Sequence, residues 1–341
     1  MSPIRVQPKC GASSVVCVDV GGQHISAVAP AFDESTDRIV IDESRILKCD
    51  LPGEAAAVTR ALCDLVASVA DPALMDTDAL VVSVATPGPI DKPALTVRET
   101  PNAKVLNNFN IGEAIHTRFP AARALLSNDG NAHAAGVLNL PQAAGIQEAW
   151  AFALGTGVGA GFVTRGKLVE GYRGNAAEAG HWPMRRKKDS RLPLLPCGCG
   201  NLGCVESYLG AGNLMKYTAD LLDGSAEIKD FADMPSVLRG QVLNIRPIFD
   251  AARKGDALGI YIYDVMMTAL ADLIETACKV SNPQAIFLCG GIANAGDFLL
   301  QGLRPKLVSP GIMSAEFDPE IKVVEAPETT GLLGLAYLAQ G

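Results

Sequence analysis

Short apolar runs, each closed by a glycine turn, dominate the chain. Ser14 to Val18 is such a run; it leads into Asp19-Val20-Gly21-Gly22, and a second run follows from His24 to Ala29. That spacing predicts a hairpin. The design returns about 137 residues later as Ala151 to Leu154, the glycine-rich stretch Gly155 to Gly161, and Phe162 to Thr164. A strand, glycine turn and strand occurring twice predict two related α/β halves. Between the hairpins, Glu54 to Ala70 has helical apolar spacing after Pro52-Gly53. Ala79 to Ala85 is a β-branched run ending in Thr86-Pro87-Gly88-Pro89, and a short strand at Ala124 to Leu126 precedes Asn128-Asp129 and a helix from Ala132 to Leu138. Later, Leu258 to Val280 predicts a long amphipathic helix, Ala285 to Leu288 a strand before Gly290-Gly291 and another helix, and Gly331 to Ala339 a last helix.

Composition narrows this picture. The 341 residues are 48% hydrophobic and 19% charged, which excludes a disordered chain and suits about two domains. Acidic residues outnumber basic ones 37 to 29, so the surface repels a phosphate backbone and nucleic acid is not expected as a partner. Trp150 and Trp182 are too few for a base-stacking surface. No uninterrupted apolar run reaches the roughly 18 residues of a membrane span, and residues 1–10 lack the core of a signal peptide. The expectation is a cytoplasmic protein with no membrane partner.

Nine cysteines in such a chain read as thiols or metal ligands before disulfides. Cys10, Cys17, Cys49, Cys63, Cys278 and Cys289 are dispersed and read as small core hydrophobes. Cys197, Cys199 and Cys204 crowd into eight residues among glycines. Three soft thiolates at this spacing suit tetrahedral zinc, and His181, sixteen residues upstream, is the natural fourth ligand. Four protein ligands leave no open position, so the expected site is structural.

Other motifs are weaker singly. Asp19 beside Gly21 and Gly22 has the makings of a Mg²⁺-phosphate corner, the carboxylate orienting the metal's waters and the glycines admitting phosphate oxygens. Gly155-Thr156-Gly157 opens no helix and carries no Gly-Lys-Ser, so it is neither a dinucleotide fingerprint nor a Walker loop. Its amides and the Thr156 hydroxyl could hold a phosphate. Asp129, between a strand and a helix, is either a helix cap or a base on a cleft floor. Glu178 and Glu206 are either surface carboxylates or groups oriented by the metal loop for several hydroxyls. Arg185 to Lys188 reads as a solvated loop.

Taken in order, these motifs resemble the ROK family (repressors, open reading frames and kinases). The most specific stretch is Glu178-x-x-His181 followed by Cys197-x-Cys199-Gly-x-x-Gly-Cys204-x-Glu206, joined by Asp19-x-Gly21-Gly22, Asn128-Asp129-x-Asn131, Gly155-Thr156-Gly157 and Gly290-Gly291. The resemblance implies two ribonuclease-H-like, actin/hexokinase-type α/β domains with a ligand cleft between them. A small domain is expected at 12–127 and a large one at 128–328, with a helix at about 329–341 packing back on the first. It also implies an ATP-dependent hexose kinase with Mg²⁺ and structural zinc, and a homodimer. Asp19, Gly21, Gly22, Gly155, Thr156 and Gly157 would meet phosphates, and Gly290 and Gly291 would flank adenosine. Gly88, Asn102, Asn128, Asp129, Glu178, His181 and Glu206 would bind the sugar, Asp129 serving as catalytic base and His181 touching both sugar and zinc.

Three positions depart from the family pattern: Gln23 where threonine is usual, Gly130 where alanine is usual, and Cys289 where glycine is common. Glucose is the expected substrate, with fructose and the N-acetylhexosamines N-acetylmannosamine and N-acetylglucosamine as alternatives. The other family branch, sugar-responsive regulators, carries a DNA-binding domain ahead of the first phosphate loop. With only some 14 residues before the first strand and Asp129 retained, a kinase is expected over a regulator or a catalytically weak sugar-binding protein.

Overall fold

The computed structural model describes residues 14–36, 38–100, 103–185, 192–307, 318–324 and 329–340. The chain forms two compact units. The first comprises 1–147, 161–177 and 326–341, and the second 148–160 and 178–325.

In the first unit, β1 (Val15–Val20) and β2 (His24–Val28) form the predicted hairpin, followed by β3 (Ala31–Asp33), β4 (Arg38–Val40) and β5 (Leu47–Asp50). Then come α1 (Ala55–Val69), β6 (Val81–Thr86), β7 (Ile90–Asp91), β8 (Thr96–Val97), α2 (Ile111–His116), β9 (Arg123–Asn128) and α3 (Asp129–Leu138). The main sheet has the order β5-β2-β1-β6-β9. β1 pairs antiparallel with β2 and parallel with β6, and β6 pairs parallel with β9. One face buries Val16, Val18, Val82, Val84 and Leu126 with Leu62 and Val66 of α1 and Ile111 and Ile115 of α2. The other face buries Val15, Cys17, Val81 and Ala85 with residues of the last helix. The alternation in β1 divides its valines and Cys17 between two covered faces, which is why the whole strand is apolar.

In the second unit, β10 (Ala149–Leu154) leads through Gly155–Gly157 into β11 (Val158–Thr164), which passes into the first unit at Gly161 and pairs antiparallel with β12 (Lys167–Leu168). The unit continues through α4 (Glu206–Leu209), α5 (Ala211–Asp223), α6 (Ile245–Arg253), α7 (Ala257–Ser281), β13 (Ala285–Cys289), α8 (Asp297–Leu303) and β14 (Glu320–Val323). The second sheet has the order β12-β11-β10-β13-β14. Counted by appearance, both sheets run third, second, first, fourth, fifth. The repeat of strand, glycine turn and strand is thus a repeat of sheet topology. The predicted turn over 155–161 is shorter than expected. Only 155–157 turn, and Gly159 and Gly161 lie inside β11. A Cβ on Gly161 would stand 2.2 Å from the Ala134 Cβ, so glycine there serves close packing on α3 rather than a turn.

Helix α7, though interrupted by Asp264 and Asp272, is long and apolar enough by length and composition to cross a membrane. Two thirds of that window, 67%, is buried inside the protein, where α7 packs on α4, α6 and α8. Burial on several sides accounts for its apolar character.

The units do not part at the expected 127/128 step. Asn128 ends β9 and caps α3, accepting from the amides of Gly130 and Asn131 at 2.8 and 3.3 Å. A boundary there would cut Asn128 from its own strand β9, and α3 stays with the first unit. The last helix, α9 (Thr329–Leu338), also belongs to that unit and packs on α3. The approach is very close. A Cβ on Gly334 would lie 1.8 Å from the Ala132 carbonyl oxygen, and one on Gly136 would lie 1.9 Å from that of Thr330. These obstacles are backbone and cannot rotate away. Gly334→Ala should therefore cost about 3 kcal/mol by overpacking, seen as a melting temperature lower by roughly 6–12 °C. An unshifted melting curve would refute this account of the helix pair.

Candidate active site

The parallel register of the first sheet assembles one group of residues. Asp19 pairs with Ala85, Ala85 with Ser127, and Thr86 with Asn128. The carboxyl ends of β1, β6 and β9 therefore place Asp19, the Thr86–Pro89 turn and Asn128-Asp129 side by side, at strand spacings of about 4.8 Å. Gly21 closes the hairpin through its amide to the His24 carbonyl at 2.9 Å, and Gly22 and Gln23 are exposed. The Asn128 carboxamide donates to the Gly88 carbonyl at 3.2 Å. Gly88 has φ +80°, and a Cβ there would meet the Glu99 carbonyl oxygen at 2.2 Å, so glycine is required. Asp129 is the first residue of α3 and half-buried, and its Oδ1 accepts from the Gly130 amide at 2.8 Å. The cap is Asn128, so capping does not account for the neighbouring carboxylate. Asn102 lies outside the described residues.

A second group lies in the second unit. The Gly155-Thr156-Gly157 turn is closed by the Gly155 amide on the Gly157 carbonyl at 3.0 Å. The carbonyls of Gly155 and Thr156 accept from Ala211 and Gly212, each at 2.9 Å, supplying acceptors to the first amides of α5. Among the described residues the Thr156 and Gly157 amides have no acceptor, and such amides could hold an anion. Cys289 pairs with Ala153, which brings Gly290 and Gly291 beside this turn. The Cys289 thiol is buried, donates to the Phe152 carbonyl at 3.4 Å, and is pushed up to about 12 by burial. It is core, not ligand.

His181, Cys197, Cys199 and Cys204 converge in the same unit, with their ligand atoms all within 4.8 Å of one another. Zinc–sulfur bonds of about 2.3 Å at tetrahedral angles put two sulfurs about 3.8 Å apart. The Cys199 and Cys204 sulfurs are 3.7 Å apart, and His181 Nδ1 is 3.5 Å from the Cys197 sulfur. The donor set and its spacing fit zinc. Burial pushes the Cys197 and Cys204 thiols up, Cys204 to about 12. A bound cation would reverse that cost by holding thiolates. Two partners brace the loop: Tyr208, fully buried, receives the Leu195 amide and donates to the Pro193 carbonyl at 2.8 Å, and Ser207 donates to the Pro196 carbonyl.

The other ring nitrogen of His181, Nε2, faces the Glu178 carboxylate at 3.9 Å. Glu178 keeps 45% of its side-chain surface in solvent, yet partial loss of water raises its carboxyl above the usual range. Glu206 adds to that rise and His181 opposes it. Trp182 meets Trp150 edge-on at 5.4 Å, so the two tryptophans wedge the His181 segment against the sheet.

Three contacts had escaped sequence reasoning. Arg185, expected in a solvated loop, is bound by Asp272 and Glu275 of α7, its Nη2 reaching Glu275 at 2.6 Å. Residues 186–188 of that run lie outside the described residues. The signal was Asp272, a lone acid in an otherwise apolar stretch of α7. Asn175 exchanges two hydrogen bonds with the Ile90 backbone, both 2.7 Å, and so acts as a short strand. Beside it Asp91, 8% exposed, binds Arg98 at 2.5 Å and Arg173 at 2.8 Å.

The Arg98 hydrogen bond holds the Asp91 carboxyl below its usual range against the opposing effect of burial, helped by the Ala94 amide and the Arg173 charge. The unfolded chain would titrate Asp91 near about 3.9. With the folded value lower, the clamp contributes stability above about pH 4 and loses it as pH falls through the folded value. Asp91→Asn should therefore lower the melting temperature at neutral pH and flatten its acid limb. Parallel acid limbs for both proteins would remove the clamp from the account.

Paired sheets of third-second-first-fourth-fifth order, each with a glycine turn, define the actin- and hexokinase-like class. Within that class the ROK family profile matches residues 15–341, and the chain belongs to the ROK family. The glucokinase of Thermotoga maritima is 30% identical over 249 residues, covering 71% of this chain and 73% of that protein. The glucokinase of Streptomyces coelicolor is 27% identical over 334 residues, 95% and 96% of the two chains. The ROK family glucokinase of Streptomyces griseus, solved with glucose and AMPPNP, is similar with a TM-score of 0.68 at 25% identity, covering 95% and 98%.

Proposed function

We propose that this chain, an ATP-dependent sugar kinase of the ROK family, phosphorylates glucose or a closely similar hexose at the 6-hydroxyl with Asp129 as general base. The observation that carries the reading is the placing of a half-buried carboxylate on the first turn of α3, with the capping duty already taken by Asn128. The matches to two glucokinases, over 71% and 95% of this chain, support the substrate class. In the reaction the hexose O6 attacks the γ-phosphorus, the bond from phosphorus to the β-γ bridging oxygen breaks, and ADP departs. The O6 proton passes to the Asp129 carboxylate. Because such transition states are loose, positioning matters more than basicity. Gly88, Asn102, Asn128, Glu178, His181 and Glu206 are the proposed hexose contacts. Asp19, Gly21, Gly22, Gly155, Thr156, Gly157, Gly290 and Gly291 are the proposed contacts to Mg-ATP.

Zinc on His181, Cys197, Cys199 and Cys204 would supply no chemistry beyond holding the ring of His181 and the start of α4. With Nδ1 committed to the metal, His181 keeps Nε2 for a sugar hydroxyl. We further propose a cytoplasmic homodimer, which light scattering on the purified protein would test. The activity itself is tested by ADP release from Mg-ATP across glucose, mannose, fructose and the N-acetylhexosamines. Turnover with glucose far above the rest is expected. No turnover with any of these sugars by folded, metal-loaded protein would overturn the reading.

A further inference from the structure

We propose that Glu206 couples the two substrates, joining the hexose contacts to the phosphate turn of the same unit. This rests on the hexose-kinase reading and goes beyond it. One carboxylate oxygen, Oε2, is already engaged, accepting from the Val158 amide at 2.9 Å. Val158 is the residue that ends the Gly155–Gly157 turn and begins β11. The other oxygen, Oε1, accepts from the Cys197 thiol at 3.7 Å and keeps a second lone pair for a sugar hydroxyl. The fit against the turn is tight. A Cβ on Gly157 would stand 2.5 Å from Oε2 and 3.2 Å from Cδ, and its three nearest neighbours all belong to Glu206. The same short segment reaches the turn again, since Ala211 and Gly212 donate to the Gly155 and Thr156 carbonyls. Glu206 and the turn therefore move as one body.

The sign of the coupling follows from charge. A carboxylate directly behind amides that receive phosphate opposes the incoming anion. Hexose hydroxyls that donate to Glu206 draw off part of that charge, so hexose binding favours the nucleotide. Reciprocity then requires the nucleotide to tighten hexose by the same factor. A binary complex with ATP alone is thereby disfavoured, which limits wasteful transfer to water.

Two calorimetric titrations test this. Gly157→Ala pushes on Glu206 and on nothing else within reach. It should weaken glucose binding at least about tenfold with no nucleotide present, and add nothing further in a Glu206→Ala background. Glu206→Gln keeps an acceptor for the Val158 amide but removes the charge. It should bind a non-hydrolysable ATP analogue about fivefold more tightly than wild type with no hexose present. Wild-type glucose affinity in Gly157→Ala, or unchanged or weaker analogue binding in Glu206→Gln, overturns the coupling. Should Gly157→Ala fail to fold, the Glu206→Gln titration decides alone. Failure of the kinase reading would show differently, as a wild-type protein that binds no hexose at all.

Discussion

Asp129→Asn should lose between about 10² and 10⁴ in kcat, roughly 2.7–5.5 kcal/mol of transition-state stabilisation, while its glucose KM stays within a few-fold of wild type. The carboxamide occupies the same volume and still accepts from the Gly130 amide, as Asp129 Oδ1 does at 2.8 Å. The cap of α3 is untouched, because Asn128 provides it. What disappears is the ability to take the O6 proton as the bond to phosphorus forms. The measurement is ADP release from Mg-ATP with glucose varied, at matched protein folding. Turnover equal to wild type would remove Asp129 as the base. A loss confined to KM would make it only a hydroxyl contact.

The second large effect concerns the metal. Wild-type protein should carry about one zinc per chain by elemental analysis, and Cys204→Ser should carry almost none. Its melting temperature should fall by on the order of 10 °C, because zinc binds the folded loop and not the unfolded chain. The serine oxygen is harder and less acidic than a thiol, so three good ligands remain where tetrahedral zinc needs four. Near-stoichiometric zinc in the variant would exclude Cys204 from the ligand set. The loop carries both His181 and the start of α4 at Glu206, so glucose KM should rise together with metal loss. That joint change separates this variant from Asp129→Asn, whose effect is on kcat.

Much of the site could be read from residues alone because its elements are local. Cys197, Cys199 and Cys204 mark a candidate metal cluster by spacing, and Asn128-Asp129 announces a strand end feeding a helix start. The long apolar periodicity from Leu258 to Val280 matches α7 to within a residue at each end. Local propensity and pattern operate over a few residues, and these features are a few residues long. Other contacts join positions far apart in the chain. Asn175 answers Ile90 across 85 residues, and Arg185 answers Asp272 across 87. Neither side chain differs in sequence from an ordinary surface residue. Gly157 read as a phosphate-turn glycine, and only its distance to Glu206 gives it a second reason to lack a side chain.

By itself the sequence determined the alternation of strands and helices, the two glycine turns, the four candidate zinc ligands and the position of the candidate base between a strand and a helix. Each is set by side-chain chemistry at short range. Tertiary structure decided where the compact units part, which of Asn128 and Asp129 caps the helix, and how Glu206 divides its two oxygens. Those outcomes depend on hydrogen-bond partners and excluded volume supplied by segments tens of residues away. No local pattern can encode such a partner until the sheet register has brought it within about 3 Å.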